Sequence, residues 1–186
     1  GVVTLPDALA HHAVRVLRLA PGSRVALFDG RGGEVVARLV PLGKGCEAHI
    51  EAHVERECES PLRLVLVQAL ASADKMDWVV QKAVELGVTA ILPVAAERSV
   101  LRLAGERAAK RVEHWGQVAV AACEQSGRNR VPAVAPVVTL SAYLAAHREV
   151  DKLLFDPAAR GRFADVGEPR GERHILVGPE GGWSPQ

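Results

Sequence analysis

The pattern of apolar and polar positions changes at residue 62, which predicts two differently built regions. Residues 62–70 are almost continuously apolar, as expected for a strand buried on both faces of a parallel sheet. Met76, Val80 and Val84 then recur at helical spacing. Strands alternating with helices predict an α/β fold with a parallel sheet. Further strands and helices are predicted at 90–94, 105–126, 134–138, 141–148, 152–155 and 173–177.

The first 56 residues carry short alternating runs that are typical of β-strands. Three such runs are separated by glycine-rich and proline-containing turn signals, and one helical pattern precedes them. Regularly spaced short strands predict a small barrel. A charged stretch ending in Pro61 marks the boundary, so we expect a β-barrel domain over 1–58 and an α/β domain over 62–186. The strand runs are 24–29, 34–39 and 48–54, the turns 30–33 and 41–45, and the helical pattern 6–19.

The last predicted strand runs directly into a glycine cluster at 178–182. Ser184 then resembles a helix N-cap, with Pro185 in the favoured first helical position. Open α/β sheets hold nucleotide-like ligands with this arrangement of strand, glycine turn and helix start. Glu180 would repel a phosphate, so the expected ligand carries none. A tight turn without a ligand explains the same residues.

Charge and cysteine content narrow the function classes. The net charge is +1, so no global field attracts nucleic acid, although a local basic patch remains open. Three widely spaced cysteines fit neither a disulfide framework nor a zinc site, and they suit a reducing cytoplasm. No apolar run is long enough to span a membrane, so no membrane association is expected. The chain starts without methionine and stops where a helix is predicted to begin, so we expect further segments on both sides.

Four polar clusters of the second region are candidates for chemistry. In a parallel sheet the carboxyl ends of the strands share one edge, so three of the clusters are expected to converge there: 72–75, 97–99 and the glycine cluster. The fourth, at 124–130, ends a helix and would have to fold back. Asp74 also suits a simple helix cap.

Two sets of polar residues in the first region are explained without a functional site. His11, His12, Arg15 and Arg18 form a small basic helical surface, for which a solvated face is the default interpretation. The residues at 49, 51 and 53 (His, Glu, His) share one strand face but lack a further ligand, so no metal site is expected.

Five motifs occur in order along the chain: H-x-x-x-V-L-R at 12–18, K-x-D-x-x-x-Q-K-A-x-E-L-G at 75–87, R-S at 98–99, E-Q-S-G-R at 124–128 and V-G-P-E-G-G-W at 177–183. Together they resemble the RsmE family of bacterial 16S ribosomal RNA (uridine-N3) methyltransferases, members of the SPOUT class. The resemblance covers nearly the whole chain. It implies a PUA-like RNA-binding β-barrel, an α/β domain with a C-terminal trefoil knot, a homodimer, and S-adenosylmethionine as cofactor.

The resemblance also implies a set of site residues. The cofactor's adenosine and methionine portions would lie against Phe155 and the loop Gly178, Pro179, Glu180, Gly181 and Gly182. For catalysis, Glu124 is our candidate for accepting the uridine N3 proton, and Arg128 for stabilising the developing anion. Contacts with 16S ribosomal RNA of the small subunit are expected from Arg15, Arg18, Lys75, Lys82, Arg98, Ser99, Gln125 and Ser126. The target uridine would be unpaired or flipped out, because a base pair hides N3.

The chain departs from the family at its C-terminus. Family members continue with a helix, a strand and a second loop, L-G-x-x-I-L-R-x-E-T-A, which completes the knot and much of the cofactor pocket and is not present in the 186 residues. We therefore expect these residues to hold only part of the site. Two other functions stay open: a non-catalytic RNA-binding module, and an α/β enzyme acting on a free nucleotide, which Glu180 argues against.

Overall fold

A computed structural model of the chain describes residues 1–43, 45–169 and 171–184. Pro185, in the predicted helix start, and Lys44, in a predicted turn, lie outside the described residues. The chain divides into two compact units, Gly1–Cys58 and Glu59–Gln186. No helix in the described part of the chain is long and apolar enough to cross a bilayer.

The first unit is a four-stranded antiparallel sheet with a short helical segment. The strands are β1 (Val2–Thr4), β2 (Arg24–Leu27), β3 (Glu34–Leu42) and β4 (Gly45–Val54), in the order β1-β4-β3-β2. Leu5, Ala10, Ala37, Leu39, Cys46 and Ala48 form its buried core.

The helical segment and one hairpin of this unit differ from the sequence prediction. The predicted helix at 6–19 is shorter and consists of α1 (Asp7–His11) and a π-helical turn over His12–Val16. Arg18 follows with φ +52°, outside the helical region. β3 and β4 extend into the predicted turn at 41–45, where Pro41 and Cys46 are register partners. Proline is tolerated there because the position is close to the end of the strand.

The second unit contains the predicted parallel sheet. Its strands are β5 (Arg63–Ala69), β6 (Ala90–Ala95), β7 (Ala133–Val134), β8 (Val138–Thr139), β9 (Asp151–Phe155) and β10 (Glu172–Val177). The order is β7-β6-β5-β10-β9, with β8 also paired to β6 and every pairing parallel. The α/β fold class is thus confirmed, whereas the predicted knot stays a prediction.

Three helices connect these strands, and their ends follow local signals. They are α2 (Ala73–Glu85), α3 (Gly105–Ser126) and α4 (Leu140–Ala146). α3 has the predicted bounds and ends at Gly127, whose φ of +74° is favourable for glycine. Asp74 is not the N-cap of α2: that position belongs to Ser72, and Asp74 lies in the first turn, where its charge complements the helix dipole.

Side chains from α3 and α4 complete the core of this unit. Trp115 of α3 is fully buried and donates from Nε1 to Asp77 Oδ1 of α2 at 3.0 Å. Tyr143 of α4 packs with Val67, Val94 and Leu176 against one face of the sheet. These contacts fix the strands whose carboxyl ends carry the polar clusters.

Candidate functional site

The glycine loop leaves the sheet at the carboxyl end of β10, between β5 and β9. Of its three glycines, Gly182 alone has a positive φ, +70°, and its N–H closes a turn onto the Pro179 carbonyl at 2.9 Å. The other two glycines allow close packing within the chain. A Cβ on Gly178 would lie 3.3 Å from the Trp183 ring, and one on Gly181 would lie 3.3 Å from Arg98 Cβ.

The three clusters expected at the carboxyl edge do converge. Glu180 Oε1 accepts a hydrogen bond from the Ser72 N–H at 3.0 Å and lies 3.2 Å from Lys75 Nζ. Arg98 Nη1 donates to the carbonyl oxygens of Gly181 and Trp183, each at 3.2 Å. The loop is therefore held on one side by the start of α2 and on the other by the segment after β6.

The environment of Glu180 keeps its carboxylate ionised. The Ser72 N–H is the largest cause, the loop's own backbone N–H at residue 180 is the next, and Lys75 adds to both, which together lower the pKa of Glu180 to about 2. A carboxylate that accepts backbone N–H bonds at a helix start is favoured in its charged form. A fixed negative charge at this place disfavours a phosphate ligand and is compatible with a cationic one.

A cavity of about 440 Å³ opens beside the loop. Trp183 closes part of it, since its indole Nε1 donates to the Phe155 carbonyl at 3.1 Å and its ring packs on Gly178. Phe155 lies at the end of β9 and is 44% exposed, as expected for a residue that lines an open cavity. The lining is Phe155, Asp156, Pro157, Val177, Gly178, Pro179, Glu180, Gly182 and Trp183. Aromatic and apolar walls with backbone groups nearby suit a flat heterocycle better than a phosphate chain.

Arg128 lies in a buried ion pair at the opposite edge of the sheet. Its Nε and Nη2 donate to the two carboxylate oxygens of Glu59, and its Nη1 donates to the Val84 carbonyl at 2.7 Å. Only 6% of its side chain is exposed. Glu59 precedes β5 whereas the glycine loop follows β10, so the seven residues of β5 separate them by roughly 20 Å.

Glu124 is exposed on the last turn of α3, in the same turn region as Arg128. The fourth polar cluster therefore does not fold back onto the glycine loop within one chain. The physical reason is that helices in such a fold run antiparallel to the strands, so helix C-termini meet the amino ends of the strands.

The residues predicted to contact RNA fall into two groups. Arg15, Arg18 and Gln125 are exposed and open to a polyanion. The others are engaged within the chain. Lys82 Nζ pairs with Glu85 at 2.8 Å, and Ser126 Oγ donates to the Ala122 carbonyl at 2.8 Å.

The Ser99 hydroxyl is engaged in a hydrogen bond within the chain. It is 4% exposed, and its hydroxyl accepts the Ala96 N–H at 3.0 Å, which closes the turn after β6. Burial leaves Ser99 little surface for a phosphate, and its contact with RNA stays a prediction. Lys75 and Arg98 are exposed, but both are directed at the glycine loop.

Sequence reasoning missed residues whose importance depends on a distant partner. The sequence pattern indicates Glu59 only as part of the charged stretch before Pro61, and Trp183 only as the end of a motif. Tyr143 and His174 were missed altogether: the Tyr143 hydroxyl is 2.7 Å from His174 Nδ1 in the core, and burial raises the pKa of Tyr143 to about 12. An apolar strand interrupted by a histidine was the one available signal.

Two further observations concern ligand binding in the described residues. The first unit has a cavity of about 510 Å³ lined by apolar strand residues together with Asp29, Glu34 and Glu55, three acids that would repel RNA. Within the described ranges, no group of three or more His, Cys, Asp or Glu side chains could hold a metal ion.

Both units of the chain match domains of RNA methyltransferases that carry a PUA domain. Residues 58–186 match the family described as RNA methyltransferase domain, and residues 5–50 match the RNA methyltransferase PUA domain. The chain belongs to the family of ribosomal RNA small subunit methyltransferase E.

Named relatives and solved structures support this membership. The chain is 30% identical over 182 residues to ribosomal RNA small subunit methyltransferase E of Bacillus subtilis, covering 92% of this chain and 71% of the relative. The Synechocystis protein of the same name is 31% identical and is covered over 61% of its length. A crystal structure of the Neisseria gonorrhoeae enzyme bound to S-adenosyl methionine is 43% identical, with a TM-score of 0.91, and covers 100% of this chain and 77% of that one. A Legionella pneumophila putative methyltransferase with bound cofactor is 32% identical, with a TM-score of 0.93, over 100% and 77% of the two chains.

Proposed function

We propose that this protein methylates N3 of a uridine in 16S ribosomal RNA of the small ribosomal subunit, with S-adenosylmethionine as methyl donor. The observation that carries the proposal is the cavity between Phe155, the glycine loop and Trp183 at the carboxyl edge of the sheet. Its relatives are small subunit RNA methyltransferases, and one of them was crystallised with this cofactor.

The residues present fit this cofactor. When bound, S-adenosylmethionine supplies a methyl group on a positively charged sulfonium. Glu180 provides a negative charge in the cavity lining at neutral pH, and the aromatic and apolar side chains of Phe155, Val177 and Trp183 suit the adenine ring. The cofactor carries no phosphate, so the carboxylate does not oppose it. We assign its binding to Phe155 and residues 178–182.

Proton removal is the chemical task left to the protein's side chains. The N3 proton of uridine is weakly acidic and must leave as the new bond to carbon forms, so a nearby base and a cation lower the barrier. Glu124 is exposed, so a bound uridine could reach it, and we propose it as the base. Arg128 is engaged with Glu59 and Val84, so we propose that it holds the Glu124 turn in place, and that it meets the uracil anion only if that pair opens.

The position of Glu124 leads us to propose a homodimer. Glu124 and the glycine loop lie at opposite edges of one sheet, roughly 20 Å apart, too far for both to act on the same base within one chain. Two copies arranged so that the α3 end of one approaches the loop of the other would bring them together. Mixing a Glu124→Gln protein with a Gly178→Ala protein, at a cofactor concentration too low for Gly178→Ala alone, should then restore activity in the hybrid dimer.

We assign RNA recognition to the first unit, taking residues 1–58 as the PUA-like domain and 62–186 as the methyltransferase domain. Arg15 and Arg18 are exposed cations suited to phosphate contacts, which predicts an affinity that falls with salt. The uridine must be presented unpaired or flipped. We propose that the protein acts in the cytoplasm, where a ribosomal substrate would be met.

The test is methyl transfer to small ribosomal subunits from a strain that lacks this modification. The full-length protein is incubated with labelled S-adenosylmethionine, and the digested RNA is analysed for 3-methyluridine by mass spectrometry. Formation of 3-methyluridine, reduced at least tenfold by Glu124→Gln, supports the proposal. Binding of RNA without any methyl transfer would replace it with a non-catalytic RNA-binding role.

A further inference from the structure

The sequence predicts that Arg98 contacts RNA, but its side chain is directed at the glycine loop. A single guanidinium nitrogen, Nη1, donates to the carbonyls of Gly181 and Trp183, each at 3.2 Å. The two acceptors stand on either side of Gly182, the one loop glycine with a positive φ. Arg98 therefore bridges the turn that shapes the cavity.

The stem of Arg98 also supports the loop. A Cβ built on Gly181 would lie 3.3 Å from Arg98 Cβ and 3.5 Å from its carbonyl oxygen, so the loop backbone packs directly on this residue. Ser99, the next residue, is buried and closes the turn after β6 through the Ala96 N–H. The backbone at Arg98 is thus anchored by the turn after β6.

A loop rich in glycine needs such support, because glycine gains more backbone freedom than other residues when it is released. On the opposite side, Glu180 is fixed by the Ser72 N–H and by Lys75, both at the start of α2. On the other side, the loop is held by the two hydrogen bonds that Arg98 donates to the carbonyls of Gly181 and Trp183. Removing them would leave Trp183, which forms a wall of the cavity, without that restraint.

We propose that Arg98 is a positioning residue for the cofactor: it holds residues 181–183 in the conformation that forms the cavity, and its loss weakens S-adenosylmethionine binding and leaves RNA affinity unchanged. The inference rests on the proposed function, since it assumes that this cavity takes the cofactor. It predicts that an Arg98 substitution raises the Kd for S-adenosylmethionine and leaves the Kd for RNA unchanged.

The experiment measures both affinities on the full-length protein. Arg98→Gln, Arg98→Lys and the control Arg107→Gln, an exposed arginine of α3, are compared with the wild type. Isothermal titration gives the Kd for S-adenosylmethionine. Fluorescence anisotropy with a labelled fragment of 16S ribosomal RNA gives the Kd for RNA at several salt concentrations.

We expect Arg98→Gln to raise the cofactor Kd roughly tenfold, since it loses two charge-assisted hydrogen bonds. Arg98→Lys, which keeps the charge and can reach one carbonyl, should fall between it and the wild type. Arg107→Gln should bind the cofactor normally. The RNA Kd of both Arg98 variants should stay within about twofold of wild type, with the same dependence on salt.

The opposite pattern would overturn the inference. If Arg98 contacts a phosphate, Arg98→Gln should weaken RNA binding at every sequence, reduce the salt slope by about one, and leave the cofactor Kd unchanged. Thermal unfolding without ligand checks the fold of each variant; should Arg98→Gln be unfolded, the Arg98→Lys comparison decides. A wild-type protein that binds no S-adenosylmethionine would refute the proposed function itself. If wild type and Arg98→Gln both bind the cofactor with equal affinity, only the inference about Arg98 is refuted.

Discussion

The buried pair between Arg128 and Glu59 gives the most direct test of what the 124–130 turn does. Glu59→Gln keeps the shape of the side chain and removes its charge. Arg128, with 6% of its side chain exposed, is then left with one neutral acceptor in place of a carboxylate, in addition to the Val84 carbonyl. The substitution thus isolates the ion pair without changing Arg128.

The expected cost follows from burial. Removing one partner of a buried ion pair typically costs about 3–5 kcal/mol, because the remaining charge is uncompensated. The Glu59 side chain is 15% exposed, so some water reaches the pair and we expect the lower end, about 3 kcal/mol. For a unit of this size, roughly 4 °C of melting temperature corresponds to 1 kcal/mol, so the midpoint should fall by roughly 12 °C.

Urea unfolding followed by tryptophan fluorescence measures this quantity in the relevant unit. All three tryptophans, Trp78, Trp115 and Trp183, lie in the second unit, so the signal reports on that unit. The matched control is Glu106→Gln, the same substitution in an exposed pair with Lys110, where both side chains are more than 70% exposed. It should change the free energy of unfolding by less than about 0.5 kcal/mol.

Equal stabilities of the two variants would refute the reasoning. If Glu59→Gln cost no more than Glu106→Gln, Arg128 would not depend on Glu59, and its guanidinium would be available for chemistry. If instead the predicted loss is seen, a fall in activity of any Arg128 variant has to be separated from unfolding before Arg128 is called catalytic.

Three further outcomes follow from individual contacts. Gly178→Ala places a methyl group 3.3 Å from the Trp183 ring, so the indole must shift and the Kd for S-adenosylmethionine should rise about tenfold by titration calorimetry; an unchanged Kd would mean that Trp183 is not a wall of the site. Tyr143→Phe removes the buried hydrogen bond to His174 and should lower the free energy of unfolding, measured in urea, by about 1–3 kcal/mol. A loss below about 0.3 kcal/mol would contradict this prediction. The pKa of Glu180 falls from 4.5 to about 2 on folding, so its contribution to stability is complete above about pH 4.5, declines below it and is lost once the pH falls below about 2. Wild type and Glu180→Gln should therefore differ by a constant amount at neutral pH and converge in acid, and a difference that grows in acid would contradict this assignment.

Local features of the second unit were predictable from the sequence alone. The bounds of α3 follow from helical periodicity and from Gly127, which takes the left-handed conformation that ends a helix at low cost. The strand–glycine loop junction after Val177, and its convergence with Ser72, Lys75 and Arg98, also followed from sequence, because parallel strands must end at one edge.

The partners of individual side chains were decided only by the tertiary structure. Arg128 and Glu59 are 69 residues apart in sequence, and nothing near either residue indicates the other. Arg98 and Ser99 look like RNA contacts in the sequence, but packing turns one to the loop and buries the other. Helical periodicity and helix capping depend on residues only a few positions apart, so the local sequence is enough to predict them. The partner of a charge depends on which surfaces meet when the chain folds, and a shift of one residue along a helix is enough to change that partner.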